Sequence, residues 1–108
     1  MNLYCNDQLV LENVTIANTF KKRLRGYMFY KKPHKICLVF KPCNSIHTYF
    51  MRFNIDVLFL DDSGIVIEKR SNLEKNKLIF PIKEVVTTVE SYSGDFSQVH
   101  VGDMIRIN

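Results

Sequence analysis

Residues 45–64 read SIHTYFMRFNIDVLFLDDSG, and the fold turns on how this stretch is read. Its second half is the clearest part. Val57-Leu58-Phe59-Leu60 is a short apolar run of the kind a buried strand requires, and Asp61-Asp62-Ser63-Gly64 follows it with turn chemistry. Asp and Ser tolerate turn geometry and Gly supplies a positive φ, so Ile65-Val66-Ile67 returns as the partner strand of a hairpin.

Upstream, an extended chain alternates its side chains, which places His47, Tyr49 and Met51 on one face and Ile46, Thr48 and Phe50 on the other. Asp56 shares parity with Leu58 and Leu60, which implies a carboxylate drawn into the interior. A buried charge is costly unless paired or hydrogen-bonded, so Asp56 requires a partner. Arg52 is the nearest cation in sequence, but four residues of straight strand separate the two by about 13 Å. They meet only if the chain bends near Phe53-Asn54, and Asn tolerates such a bend. A bent segment gathers His47, Thr48, Arg52 and Asp56 around one polar spot, either as a ligand pocket or as a structural network fixing bend and register.

Working outward, residues 9–11 and 14–17 are β-prone, Thr19 is a helix N-cap, and Gly26 closes a helix of about two turns over residues 20–25. Residues 36–40 form a buried strand. Residues 70–77 are polar and read as a loop, and Pro81 opposes a central strand around Ile79 and Phe80. Residues 85–90 are a further strand, and the turn Val101-Gly102-Asp103 leads into a last one at 104–107. Many short strands with one short helix predict a mainly β (α+β) single domain over 1–108, a small barrel or sandwich.

At 108 residues with 46% apolar and 24% charged residues, the chain has the composition of one globular core and not of disorder. The opening MNLYCNDQLV has neither a basic leader nor an apolar stretch, and no run approaches the roughly 20 apolar residues of a membrane span. Cys5, Cys37 and Cys43 are too few for a disulfide framework. A cytoplasmic, membrane-free protein with free thiols is expected, monomeric by default.

Charge is unevenly placed. No acid occurs between Asn13 and Ile55, where nine Lys and Arg do, whereas from Asp56 onward nine acids face six bases. The basic stretch 21–41 suits a nucleic acid or another acidic partner, or is simply a lysine-rich surface. Cys37, Cys43 and His47, with His34 as a fourth group, lack the close ligand pairs of zinc sites, so neither metal nor cofactor is expected. P-loop, dinucleotide-binding, zinc-protease and nucleophile-elbow motifs are all missing.

The run IHTYFMRFNIDVLFLDDSGIVIEK resembles the signature of the DUF192 family, above all a branch reading approximately IHTFGMRFPIDVLFLDRDGRV. Ala17-Asn18-Thr19 with Arg23, Arg25-Gly26 and Met28 resembles the family's A-x-T...R-x-x-G-x-M opening. Val89-Glu90 with Gly94, then Gly102-Asp103, resembles its later L-E-x-x-x-G and G-D elements. The resemblance implies a compact, β-rich, barrel-like domain with a short helix, and a family without an assigned reaction. It supports the bend, because relatives carry Pro where this chain has Asn54. Phe50 replaces a small residue and Tyr27 a Leu, so a bulky Phe50 is expected to fill space that is open in relatives.

Three functions are compatible with these residues. The first is a non-catalytic binding or accessory domain for a small molecule or peptide, with ligand contacts among His47, Thr48, Arg52, Asp56 and Glu90. The second is a small hydrolase-like enzyme using His47 with Asp56 or Glu90 as acid–base groups. Glu90 is alternatively the structural partner of Arg23 or Arg25. The third is a basic nucleic-acid-binding module.

Overall fold

The computed structural model describes residues 1–17, 37–49, 51 and 53–108. Among these residues the fold is all strand. Strands β1 (Leu3–Cys5) and β2 (Gln8–Leu11) form a hairpin around Asn6 and Asp7. Both turn residues have positive φ, at 50° and 69°, the geometry whose twist suits a two-residue hairpin. On its other side β1 pairs with β10 (Ile105–Ile107), giving a three-stranded sheet.

The main sheet has five strands in the order β3-β4-β9-β6-β7. They are β3 (Val14–Ile16), β4 (Cys37–Phe40), β9 (Thr87–Tyr92), β6 (Ile55–Leu60) and β7 (Val66–Leu73). β6 is buried at all six positions, as a strand covered on both faces must be. Leu58 and Leu60 join Val39, Val66 and Val89 against Leu3, Cys5 and Ile105 of the three-stranded sheet. Ile55, Val57 and Phe59 turn to the opposite face, where Met51, Ile79 and Val85 cover them. Each fully buried residue of this size stabilises the fold by about 1.5–3 kcal/mol, so β6 is its energetic centre. A two-stranded ribbon, β5 (Ile46–His47) with β8 (Leu78–Ile79), completes the described structure.

The hairpin expected after β6 is present. Asp61 Oδ1 accepts hydrogen bonds from the amides of Ser63 and Ile65, both at 2.9 Å. Gly64 has φ +87° and packs so closely that a Cβ would lie 2.6 Å from the Ile105 carbonyl oxygen.

Several expectations need correction. The barrel does not close: β3 and β7 end the main sheet, and no ladder joins them among the described residues. What forms is a three-stranded sheet packed on a five-stranded one. Residues 70–73 are not loop, because β7 is an edge strand whose polar side chains face solvent, so polarity there does not oppose strand. β9 begins at Thr87 and not at residue 85, since the Val85 amide closes a turn onto Ile82 O. Tyr49 and Met51 do not continue one straight strand with His47: a turn from Thr48 O to the Met51 amide, 3.3 Å, leaves Met51 buried and Tyr49 exposed. The bend at Phe53 is present. The helix expected at residues 20–25 lies outside the described residues.

Candidate functional site

The carboxylate of Asp56 is 2% exposed, and its partners are backbone amides. Oδ1 accepts from the amide of Asn72 at 2.8 Å, and Oδ2 accepts from the amides of Gly94 at 2.9 Å and Phe96 at 3.1 Å. Local geometry makes these donors available. The β6–β7 register slips between Ile55 and Val57, whose partners are Leu73 and Arg70, so Ser71 and Asn72 together stand opposite Asp56. Asn72 takes φ 53°, and Gly94 takes φ 98° in the turn after β9. Both amides thereby leave the strand ladder and point at one acid. Asn72 Oδ1 then accepts from Asn54 Nδ2 at 3.1 Å and Ser93 Oγ at 2.7 Å, so Asn54 ties the bend to the bulge.

Thr48 is a second internal tie. Its hydroxyl is fully buried, donates to Glu74 O at 2.8 Å and accepts from the Lys77 amide at 2.8 Å. The Thr48 amide also donates to Lys77 O, and Thr48 O accepts from the Asn76 amide. One residue thus holds the loop between β7 and β8.

His47, beside it, is exposed. Its ring stacks on Tyr49 with centroids 5.2 Å apart and planes 23° from parallel. Across the ribbon His47 stands opposite Leu78, itself 48% exposed, and Phe80 beyond it is 73% exposed. Arg52 and Phe50 lie outside the described residues, as do Arg23, Arg25 and His34.

Glu90 is also sealed inside, 3% exposed, and burial pushes its carboxyl up to about 8. It does not pair with Asp56. Glu90 stands opposite Val57 in β6 and Leu38 in β4, whereas Asp56 stands opposite Ser91, so the two acids occupy opposite faces of the main sheet. The acid–base pair expected from sequence is therefore not assembled.

A further node centres on Asp103, which the sequence marked as a turn and a family landmark but not as a site residue. Asp103 accepts from the His100 amide at 2.8 Å, Asn6 Nδ2 at 3.1 Å and Cys5 Sγ at 3.4 Å. These bonds, the amide of His100 first, hold its carboxyl below the usual range. Burial and Asp103 together push the Cys5 thiol up to about 11, so it stays protonated. The clue lay in the two halves of the node: a polar Asn6-Asp7 turn at one end of the chain and the Gly102-Asp103 turn at the other.

The sequence profile of the DUF192 family, described as an uncharacterized ACR, matches residues 4–107. This chain belongs to the DUF192 family. A UPF0127 protein of Thermococcus kodakarensis is 33% identical over 99 residues, covering 85% of this chain and 62% of the relative. A UPF0127 protein of Pyrococcus horikoshii is 42% identical over 60 residues, 51% of each chain. The chain thus spans less than two thirds of these relatives' length. Among solved structures, a protein of unknown function from Novosphingobium aromaticivorans superposes with TM-score 0.81 at 14% identity, over 98% of this chain and 84% of that one. A candidate transcription regulator from Sinorhizobium meliloti gives 0.72 at 17% identity, over 86% and 79%. At such identities these two share the fold. The relatives bring no established function. The DUF192 landmarks Asp56, Gly94 and Asp103 are in this structure hydrogen-bond nodes of the fold.

Proposed function

We propose that this DUF192 domain is a non-catalytic binding module that takes an extended peptide across the exposed face of the β5–β8 ribbon. The carrying observation is the stacked, solvent-facing His47–Tyr49 pair opposite exposed Leu78, with Phe80 beyond. Exposed aromatic and aliphatic groups held on a tied segment offer contact area at low ordering cost. In sequence Lys75 and Lys77 lead into Leu78 with Glu74 before them, and this local excess of positive charge favours a peptide pairing an aromatic or aliphatic side chain with a carboxylate. His47 is the ligand contact in this reading, and Arg52 is a candidate from its chemistry alone. Thr48 and Asp56 act behind His47 by fixing the segment. A hydrolytic reading fits less well, because Asp56 is engaged by three amides and Glu90 lies on the other face of the sheet. A cytoplasmic location belongs to the same proposal and is supported by three unpaired thiols.

The test is a titration of the labelled protein with capped acidic-aromatic peptides, followed by amide shifts. Shifts at His47, Tyr49, Leu78 and Phe80 that vanish in Tyr49→Ala are expected. Absence of shifts there at millimolar peptide overturns the proposal. The stacked rings also suit nucleic-acid bases, and the Sinorhizobium relative is described as a candidate regulator of transcription. A single-stranded oligonucleotide that shifts the same residues, with affinity falling steeply as salt rises, would replace peptide by nucleic acid.

A further inference from the structure

A concavity lies on the side of the main sheet away from the β5–β8 ribbon, between the β1–β2 hairpin and the loop joining β9 to β10. It encloses about 530 Å³ and is lined by Cys5, Asn6, Gln8, Leu9, Val10, Asp95, Gln98 and Asp103. That volume is in the range of small-molecule sites, roughly 300–1,000 Å³. The lining chemistry is one-sided. It offers two carboxylates, three carboxamides and the aliphatic Leu9 and Val10, and among the described residues no Lys, Arg or His lines it, in a chain of net charge +4.

The acceptors are held in place. Asp103 is fixed by the His100 amide, Asn6 and Cys5, and Asp95 Oδ2 accepts from Ser91 Oγ at 2.6 Å. Asn6 is itself locked, its amide donating to Met104 O at 2.9 Å and its Oδ1 accepting from the Met104 amide at 3.0 Å. Preorganised acceptors of this kind need no reordering when a donor arrives. Cys5 donates to Asp103 and remains a thiol, so the site points to binding and not to nucleophilic chemistry.

We infer that this cleft binds an organic cation with several N–H donors, a primary amine or guanidinium, its charge set between Asp95 and Asp103 and its N–H groups on the carboxamides of Asn6, Gln8 and Gln98. Leu9 and Val10 cover the methylene stem. Free polyamine or arginine-like molecules and the Lys or Arg side chain of another protein present the same chemistry.

Calorimetric and amide-shift titrations with spermidine, argininamide and a capped Gly-Arg-Gly peptide separate the two sources. Shifts at residues 5–10, 95, 98 and 103 are expected with at least one of them. A capped Gly-citrulline-Gly peptide, which keeps the shape of the arginine peptide without its charge, is expected to bind at least tenfold more weakly. Gln8→Lys places a cation at an exposed lining position without touching a hydrogen bond of the fold, and is expected to abolish binding while leaving the melting curve unchanged. Asp95→Asn, which keeps an acceptor for Ser91, is expected to weaken binding about tenfold. Lack of cleft shifts with all three cations at millimolar concentration overturns the inference. So does equal binding of the capped citrulline peptide, or binding undiminished in Gln8→Lys. Because these residues are distinct from His47, Tyr49, Leu78 and Phe80, failure here leaves the peptide proposal standing, and the reverse holds too.

Discussion

Replacing Asp56 by Asn keeps the side chain's shape and removes its charge, and the structure sets the cost. The carboxylate serves three amides, Asn72 on one oxygen and Gly94 with Phe96 on the other. An Asn side chain has one acceptor. Its better orientation leaves the oxygen on Gly94 and Phe96 and turns Nδ2 toward the Asn72 amide, donor against donor at a site 2.8 Å wide. Two charge-assisted bonds become neutral, losing about 1 kcal/mol each, and one partly buried amide loses its acceptor for a further 1–3 kcal/mol, or about 3–5 kcal/mol in all. Against a typical stability of about 5–15 kcal/mol the variant is marginal but mostly folded. At about 4–6 °C per kcal/mol for a domain of this size, the melting temperature falls by about 12–30 °C. Urea denaturation gives the free energy, and amide exchange should show lost protection at Asn72, Gly94 and Phe96 first. A loss under about 1 kcal/mol with exchange unchanged at those three amides would refute the reasoning.

Three further outcomes follow from neighbouring features. Thr48→Val removes the hydroxyl that bonds Glu74 O and the Lys77 amide, and should cost about 1–3 kcal/mol and raise exchange at residues 76 and 77; Thr48→Ser should restore most of it. Gly64→Ala forces a Cβ toward the Ile105 carbonyl at positive φ and should cost about 2–4 kcal/mol in urea unfolding, whereas Gly102→Ala, with open space around it, should cost only about 1. Glu90 keeps its proton in the fold to about pH 8, while the unfolded chain releases it near 4.5. The unfolded state therefore binds fewer protons between those values, and stability should fall as pH rises across that window, by at most about 1.4 kcal/mol per unit. Glu90→Gln should flatten this decline and be the more stable form at pH 8; urea midpoints that fall equally in both proteins would disprove it.

The central hairpin was legible because apolar run, turn residues and returning strand agree in residues 57–67. The need for a partner at Asp56 was legible too. Its identity was not, because a search among side chains for a cation passes over backbone amides. Those amides become available only through the bulge at Asn72 and the turn at Gly94, two residues of the types that tolerate positive φ. β1 was missed for its brevity, although Asn6-Asp7 between two alternating runs is hairpin chemistry. Parity placed His47 and Tyr49 together correctly, and failed for Met51 because a turn at Thr48 resets the alternation. Edge strand β7 shows the limit of polarity as a loop signal: a strand with one neighbour and one wet face accommodates Arg70, Ser71 and Asn72.

Residues 45–64 join a buried half that holds the fold to an exposed half that, in the proposed function, meets a peptide. A single amide-shift titration with acidic-aromatic peptides tests that division most directly. It predicts shifts at His47, Tyr49, Leu78 and Phe80, with the amides of Asn72, Gly94 and Phe96 unmoved. Shifts concentrated on those three amides would make Asp56 a ligand contact and contradict it.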